Sequence, residues 1–436
     1  MSRIGIDLVE ISRMEKSLKN PRFLTGVFSE EERAFLCSEK GRTASAAANF
    51  AAKEAFSKAL GTGIRGFSLK EVSVLRRENG APYLLLSGRA KRIAEELGLE
   101  FSLSLTHEAG IACAVVTACE KKAGLPAAAP GRIDRLKERF GEELAGGTPI
   151  GREWVKTVFP KRDPLSHKGS YGKLVILAGC TRYRGAAALC TASALRSGAG
   201  VVTLASVPPV IDAVSSKLYE PVYLPLPQNS EGMVSSHAVP LLLEQVKSAS
   251  ALLIGCGMGQ SEDVSAVVSA LLGAAECPVV LDADGLNAVA GCIDILRTAK
   301  GRIIVTPHMG EMSRLCGKSI AELKADPAGI ARAFAKEYGA VTVLKDADTV
   351  VAAPDSSLRL STTGNAGMAR GGSGDVLAGI IAAFVCQGLP PETAAACGVY
   401  LHGAAGDLAA SRGSMLGMLP SDMIGVLPEL YHFAEE

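Results

Sequence analysis

NAGMARGGSGDVLAG, residues 365–379, runs directly into the apolar helical pattern IIAAFVCQG. Its glycines let the backbone approach a ligand closely, and a helix that begins near Gly374 points free N–H groups and the positive end of its dipole at a phosphate. Asp375 stands beside this anion site, where a carboxylate is well placed to take a proton from a hydroxyl that attacks the phosphate. We predict that Asp375 is a catalytic base; the alternative is an aspartate that caps its own helix.

Composition limits the class of protein. The 436 residues are 48% hydrophobic, enough for a large core in two or three domains. A net charge of +1 argues against a general nucleic-acid or membrane-surface binder. No apolar run approaches a spanning helix and the N-terminus lacks a signal-peptide pattern, so we expect a cytoplasmic protein. The eleven cysteines form no CxxC pair, which disfavours a metal cluster or a disulfide framework.

The N-terminal segment contains a candidate metal site. RIGIDLVEI, residues 3–11, alternates like a half-buried strand and places Asp7 on one of its faces. NFAAKEAFSKALGTG, residues 49–63, predicts a helix in which Glu54 and Lys58 share a face. Two carboxylates on rigid elements suit a Mg2+ ion that carries a pyrophosphate, although a surface ion pair explains the spacing equally well. His107 lies between two further alternating strands, where a structural role is the ordinary one.

GIDLVEI, FAAKEAFSKALGTG and SLSLTHE, in this order, resemble holo-[acyl-carrier-protein] synthase over residues 1–118. The resemblance implies an α+β phosphopantetheinyl-transferase-like domain that transfers 4'-phosphopantetheine from coenzyme A to a serine of acyl-carrier protein. It also implies that Asp7 and Glu54 ligate Mg2+, that Lys58 and His107 line the coenzyme A site, and that the protein is a homo-oligomer. Asn49 departs from the family pattern, which usually has arginine at that position.

The remaining chain predicts a second architecture. Residues 119–147 read as a linker followed by a solvated, charged helix. From residue 148 to 436, strands such as KLVILAG and VVTLASV alternate with helical patterns, which indicates βαβ units and a mainly parallel central sheet. Ligands of such sheets bind beyond the carboxyl ends of the strands.

Several polar residues follow these strands and could share one rim. Asp282 and Asp284 flank Ala283, so on an extended segment both point the same way and could hold one cation; solvation of the loop or capping of the next helix is the alternative. His308 also follows a strand, where a ligand contact and a structural role are both open. GCGMG, residues 255–259, matches only half of a dinucleotide fingerprint.

Six motifs in order, HKGSYGKLVILAG, YRGAAALCTASALRSGAGVVTLA, DADGLNAV, TPHMGE, LKDADTVV and the glycine stretch, resemble the ADP- or ATP-dependent NAD(P)H-hydrate dehydratase family of ribokinase-like α/β fold. The resemblance implies contacts to the hydrated dinucleotide from Ala186, Gly257, His308 and Asp375, and contacts to the adenine nucleotide from Lys345, Asp346, Ala347, Asp348, Thr349 and Gly374. Departures are Asp346, where glycine is common, and Arg370, where a small or hydroxyl residue is frequent.

The chemistry that the family resemblance implies agrees with the prediction for Asp375. The base would deprotonate the C6 hydroxyl of the hydrate, the oxygen would take the terminal phosphate of ADP or ATP, and loss of phosphate would restore NADH or NADPH. Mg2+ neutralises the phosphates in such reactions. The alternative is a small-molecule kinase of the same fold with an inactive N-terminal oligomerisation domain.

Overall fold

The computed structural model describes residues 3–38, 42–61, 63, 66–77, 79–120 and 131–434. The chain divides into an N-terminal unit, Met1–Lys122, and a C-terminal unit, Ala123–Glu436. Most of the predicted linker, residues 121–130, lies outside the described residues. The predicted domain boundaries at residues 118 and 148 stay predictions.

The N-terminal unit is an α+β structure. Its elements are β1 (Arg3–Glu10), α1 (Ile11–Leu18), α2 (Pro21–Val27), α3 (Glu30–Ser38), α4 (Arg42–Leu60), β2 (Val72–Arg76), β3 (Pro82–Leu86), α5 (Gly88–Glu96), β4 (Leu99–Glu108) and β5 (Ile111–Glu120). Strands β1, β5 and β4 form an antiparallel sheet in that order, and β2 pairs with β3. The turn between β2 and β3 contains Asn79 and Gly80, as their turn preference predicts.

Strand β1 packs on helix α4 through its small and polar face. Gly5 is buried, whereas Ile4, Ile6 and Leu8 on the opposite face are 62%, 52% and 65% exposed. A Cβ atom on Gly5 would lie 1.9 Å from the carbonyl oxygen of Ala55 in α4, so the two backbones approach more closely than any other residue allows. This contact brings Asp7, two residues further on, to the surface of α4.

The C-terminal unit is a three-layer α/β structure. Its elements are α6 (Arg132–Phe140), β6 (Thr148–Pro149), α7 (Arg152–Val158), β7 (Lys173–Leu177), α8 (Arg184–Arg196), β8 (Val201–Ser206), α9 (Pro208–Ser215), β9 (Val222–Pro225), α10 (Val239–Val246), β10 (Ala251–Ile254), α11 (Glu262–Ala274), β11 (Val279–Leu281), α12 (Asp284–Val289), α13 (Ile295–Thr298), β12 (Ile303–Val305), α14 (Met309–Cys316), α15 (Ile320–Ala325), α16 (Pro327–Tyr338), β13 (Val341–Leu344), β14 (Val350–Ala352), β15 (Leu358–Leu360), α17 (Ser373–Cys386), α18 (Pro391–Arg412) and α19 (Pro420–Leu430).

The predicted mainly parallel sheet is confirmed. Ten strands lie in the order β6-β15-β14-β13-β12-β11-β10-β7-β8-β9, and those from β13 to β9 are parallel. Antiparallel pairing of β13 with β14, and of β14 with β15, extends one edge. Alternate residues of β7 enter different cores: Leu174 and Ile176 face the core that includes α8, α17 and α18, while Val175 and Leu177 face the opposite one. Both faces of the sheet are therefore covered, as its apolar strands require.

Helix α17 begins at the glycine-rich stretch and packs closely on α8. A Cβ atom on Gly379 would lie 2.1 Å from Ser193 Oγ and 2.2 Å from the carbonyl oxygen of Cys190. The contact fixes the start of α17 beside the carboxyl ends of the central strands. Among the described residues, no helix has the length and apolar content needed to cross a membrane.

The Gly5 contact predicts a local loss of stability. Gly5→Ala should lower the free energy of opening at β1 and α4 by about 1–3 kcal/mol, because a methyl group cannot enter a closely packed backbone contact without displacing it. Native-state hydrogen exchange on the full chain measures this. Gly26→Ala is the matched control, since Gly26 lies in helix α2 and a Cβ atom added there would have no neighbour within 4 Å. Equal protection in both variants would contradict the close contact.

Candidate functional site

A cavity of about 780 Å³ lies at the carboxyl ends of β11, β12 and β13 and at the start of α17. Seven residues predicted from the sequence line this one cavity: His308, Lys345, Asp346, Ala347, Thr349, Gly374 and Asp375. Parallel strands place the loops that follow them at one edge of the sheet, and these residues follow β12, β13 or begin α17. Asp282, which follows β11, also lines the cavity.

Asp375 occupies the first turn of α17 and is not its N-cap. Gly372 caps the helix with φ +97° and has no side chain to offer. Burial, followed by the neighbouring charge of Asp282, raises the pKa of Asp375 to about 7, while a hydrogen bond with Cys256 and the charge of Lys345 oppose the rise. A pKa near neutral pH suits a general base, because a substantial fraction of the carboxyl group is ionised and its conjugate acid is still strong enough to hold the transferred proton.

Lys345 supplies a positive charge beside this carboxylate. Its Nζ lies 2.6 Å from Asp282 Oδ1 and 4.0 Å from Glu311 Oε2. Burial alone lowers the pKa of Lys345, but Asp282 and Glu311 outweigh it and raise the pKa. Thr306 Oγ1 donates a second hydrogen bond to Asp282, at 2.7 Å. A Cβ atom on Gly374 would lie 3.3 Å from Lys345 Nζ, so the start of α17 faces the ammonium group directly.

The two aspartates that flank Ala283 diverge. Asp282 faces Lys345, whereas Asp284 accepts a hydrogen bond of 2.8 Å from the backbone N–H of Gly259. The prediction that they share a cation assumed an extended segment, and this assumption is wrong because Ala283 has φ 46° and ψ −115°. Asp282 instead lies near Cys256 and Asp375, with one ligand atom from each within 4.8 Å of the others. That group could hold a metal ion, but Lys345 already compensates its charge.

Two predicted substrate contacts lie outside the lining of the cavity. Gly257 follows Cys256, and a Cβ atom on Gly257 would lie 2.7 Å from the Cβ of Ala186. The structure therefore brings Gly257 and Ala186 together, next to Cys256, the residue that contacts Asp375.

His308 lines the cavity and also caps helix α14. Its Nδ1 accepts hydrogen bonds from the backbone N–H groups of Gly310 and Glu311, at 2.9 and 3.2 Å.

Helix α6 bears on two sequence predictions. It is charged and most of its residues are exposed or half-buried, but Leu136 is fully buried in the core. Its arginines at 132, 135 and 139 pair with the acidic loop after β13: Asp348 lies within 3.4 Å of all three guanidinium groups, and Asp346 pairs with Arg139. The side chain of Asp348 is buried and does not line the cavity, and its predicted contact with the nucleotide stays a prediction. The i, i+3, i+7 spacing of the arginines was the signal in the sequence.

The N-terminal unit brings its predicted residues onto one face of the sheet. Lys58 Nζ lies 2.9 Å from Asp7 Oδ1 and 2.8 Å from the carbonyl oxygen of Ile6. Burial and then the charge of Asp7 raise the pKa of Glu54, against the opposing charge of Lys58. His107 lies within strand β4 and not between strands. It pairs with Ala112 of β5, and Ala112 pairs on its other side with Val9 of β1. Asp7 is two residues from Val9, so it shares this face with His107.

Asn49 belongs to a buried polar network away from Asp7. Its side chain donates hydrogen bonds to Glu32, at 3.3 Å, and to the carbonyl oxygen of Val74, at 3.1 Å. Lys53, one turn further along α4, forms a fully buried ion pair with Glu32 at 2.7 Å. The departure at Asn49 therefore supports the packing of α4, and it lies on a different face of that helix from Glu54 and Lys58.

Comparison with known families identifies the C-terminal unit. The model of the NAD(P)H-hydrate dehydratase family matches residues 174–429. The chain belongs to this family. The model of the 4'-phosphopantetheinyl transferase superfamily matches residues 3–116, so this dehydratase family member also carries an N-terminal transferase-type domain.

Individual proteins that are similar to this chain support the same family. The bifunctional NAD(P)H-hydrate repair enzyme Nnr of Moorella thermoacetica is 40% identical over 283 residues, which are 65% of this chain and 53% of that enzyme. The chain thus spans about half the length of such bifunctional relatives. The ADP-dependent (S)-NAD(P)H-hydrate dehydratase of Xanthomonas campestris pv. campestris is 36% identical over 277 residues, 62% of this chain and 93% of that protein. A crystal structure of the ADP/ATP-dependent NAD(P)H-hydrate dehydratase from Bacillus subtilis, co-crystallized with ATP and Mg2+, is 32% identical, with a TM-score of 0.57 over 66% of this chain and 99% of that one.

The buried position of Asp348 predicts a structural role. Asp348→Asn should destabilise the C-terminal unit by on the order of 3 kcal/mol, because Arg132 would keep a buried charge without its carboxylate. Denaturant unfolding followed by the single tryptophan, Trp154, measures this. Asp346→Asn is the control: Asp346 is more exposed and has one arginine partner, so its loss should cost less than about 1 kcal/mol. Equal losses would contradict the structural assignment of Asp348.

Proposed function

We propose that the C-terminal unit dehydrates (S)-NAD(P)H hydrate to NAD(P)H with ADP as co-substrate, releasing AMP and phosphate. The observation that carries this proposal is the position of Asp375, whose pKa of about 7 suits a base and which lies beside Lys345 at the start of α17. Membership of the dehydratase family and the printed activity of the Xanthomonas relative support the same reaction.

In the proposed reaction Asp375 accepts the proton of the C6 hydroxyl as that oxygen bonds to the terminal phosphorus of ADP. The bond from that phosphorus to the bridging oxygen breaks, and AMP leaves. Phosphate then departs from C6, and loss of the proton on the neighbouring ring carbon forms the double bond of NAD(P)H. Phosphorylation is needed because hydroxide is a poor leaving group and phosphate is a good one.

The residues around Asp375 take two roles in this proposal. Ala186 and Gly257, which lie against each other beside Cys256, contact the hydrated dinucleotide, and His308 contacts it from the lining of the cavity. Lys345, Asp346, Ala347, Thr349 and Gly374 contact the adenine nucleotide in the cavity that they line. Lys345 and the first N–H groups of α17 offset the charge of the terminal phosphate. Mg2+ bound with the nucleotide would neutralise further phosphate charge, as the ATP and Mg2+ of the Bacillus crystal structure suggest for that enzyme.

We propose that the N-terminal unit transfers 4'-phosphopantetheine from coenzyme A to a serine of acyl-carrier protein, a step of fatty acid biosynthesis. The residues fit a divalent cation: Asp7 and Glu54 are carboxylates close enough for Asp7 to raise the pKa of Glu54, and a shared Mg2+ would relieve that repulsion. The cation would supply charge neutralisation at the pyrophosphate. Lys58 and His107 complete the coenzyme A site, with Lys58 pairing with the phosphates.

A homo-oligomer in the cytoplasm completes the proposal. Ile4, Ile6 and Leu8 form an exposed apolar row on the face of β1 opposite α4. Such a row is typical of a surface that a second protein chain covers. Neither unit requires a nucleic acid or a membrane for the proposed reactions.

Replacing the proposed base tests the dehydratase. Asp375→Asn should lower the dehydration rate by about 10²–10⁴-fold, because the amide cannot accept the proton. In the parent protein kcat/KM should rise about tenfold per pH unit up to the pKa of about 7 and level off above it, since only the ionised carboxylate is active. NADH formation from hydrated NADH and ADP measures both.

Folding and nucleotide binding serve as controls for this variant. Asp375→Asn should have the same melting temperature as the parent protein and should still bind ADP. If the variant meets both conditions and still dehydrates the hydrate at the rate of the parent protein, Asp375 is not the catalytic base. A stable phosphorylated product formed by the parent protein, without NADH, would indicate a kinase instead.

Replacing one proposed metal ligand tests the transferase. Glu54→Gln should raise the Mg2+ concentration needed for half-maximal modification of apo-acyl-carrier protein by at least about tenfold, because even the loss of an outer partner of a metal ligand costs 10–100-fold. Mass spectrometry of the carrier protein, shifted by one phosphopantetheine group, measures the reaction. Glu96→Gln on the exposed face of α5 is the control. Absence of modification by the parent protein at ample Mg2+ would refute the transferase activity.

A further inference from the structure

Helix α6 places three arginines against the acidic loop that follows β13. Arg132, Arg135 and Arg139 form direct ion pairs with the two carboxylates Asp346 and Asp348. The charge of Asp407 also acts on Arg132, so three carboxylates balance the three guanidinium groups of this cluster. The helix lies outside residues 174–429, the stretch that the dehydratase family model matches.

Arg132 fixes the helix to both sides of the nucleotide cavity. Its guanidinium group donates hydrogen bonds to the carbonyl oxygens of Ala347 at 2.8 Å, Thr363 at 3.3 Å and Gly364 at 3.4 Å. Ala347 belongs to the loop after β13, and Gly364 precedes the glycine-rich stretch. Arg132 is only 8% exposed, so its role is to position these two loops against each other.

Arg135 and Arg139 differ in their exposure and in their position relative to the cavity. Both pair with Asp348 Oδ2, at 3.2 and 2.9 Å. Arg139 also pairs with Asp346, is 23% exposed and is not among the residues that line the cavity, whereas Arg135 is 49% exposed and lines it. Arg132 also lines the cavity, but it is buried and bonded to three carbonyl oxygens, so Arg135 is the arginine of α6 that offers an exposed guanidinium group to the cavity.

Lys345 also lines the cavity, but its charge is already shared. It faces three carboxylates, those of Asp282, Glu311 and Asp375. A second cationic side chain at the cavity would therefore add attraction for a nucleotide phosphate. A guanidinium group with N–H donors left after one ion pair can bind a phosphate with two parallel hydrogen bonds.

We propose that Arg135 is a nucleotide-binding residue that pairs with a phosphate of the adenine nucleotide. The inference rests on the proposed dehydratase function and adds to it a specificity contact from a helix that precedes the family-matched region. Its chemical target is the phosphate chain, so it favours a nucleoside diphosphate over the uncharged nucleoside.

Calorimetric titration of the full chain with ADP and with adenosine tests this. Arg135→Gln should weaken ADP binding by roughly 10–100-fold, the usual effect of losing a charge-assisted hydrogen bond, and leave adenosine binding unchanged. Arg135→Lys keeps the positive charge but lacks the planar guanidinium group, so its affinity for ADP should lie between those of the parent protein and Arg135→Gln. Arg139→Gln is the matched control, because it removes an Asp348 partner outside the cavity and should change ADP and adenosine affinity by the same factor.

The outcomes separate the inference from the proposed function. If Arg135→Gln weakens ADP and adenosine equally, or matches Arg139→Gln, the residue only positions the loop and the inference is overturned. If the parent binds ADP and dehydrates the hydrate while Arg135→Gln binds ADP normally, the inference fails and the proposed function stands. If the parent binds no ADP, both fail. Trp154 fluorescence verifies that each variant is folded.

Discussion

Two carboxylates in the C-terminal unit share a single ammonium group. Asp282 and Asp375 are close enough for the charge of one to raise the pKa of the other, and Lys345 bonds Asp282 at 2.6 Å. Burial makes two ionised carboxylates beside one cation unfavourable, so one of them must titrate near neutral pH. Lys345 and Thr306 both donate hydrogen bonds to Asp282, whereas burial and the charge of Asp282 raise the pKa of Asp375 to about 7, so Asp375 can exchange a proton at neutral pH. The strand ends of β11 and β13 and the close contact of α17 with α8 all serve to hold this arrangement.

The N-terminal unit meets the same constraint at its surface. Asp7 and Glu54 also stand beside one lysine, Lys58, and the pKa of Glu54 is likewise raised. The difference lies in exposure: the side chain of Lys58 is 53% exposed, whereas that of Lys345 is 18% exposed. A lysine in solvent can leave its carboxylates at little cost when a divalent cation arrives. A buried lysine cannot, so the first pair suits a metal site and the second suits proton transfer.

The mainly parallel sheet and the rim of loops beyond its strands could be predicted from the sequence because both follow from local patterns. Apolar runs that end in polar loops define parallel strands, and topology then gathers those loops. Three features could not be predicted in this way. Ala283, which separates Asp282 from Asp284, has a positive φ angle, and an alanine in the sequence gives no indication of such a conformation. The exposed face of β1 is the apolar one, against the usual expectation. The partners of α6 lie more than 200 residues away in the chain.

The arginines of α6 explain how a cavity for an anionic ligand can be built on a loop rich in acids. Asp346 and Asp348 would repel a phosphate if they faced it with their full charge. Asp348 is instead turned into the protein, where three guanidinium groups surround it, and Asp346 is paired with Arg139. The acids thereby anchor the helix, and the helix neutralises the charge of the loop. Because this neutralisation depends on α6, a helix of the C-terminal unit that lies outside the family-matched residues, that helix contributes to the electrostatics of the nucleotide cavity.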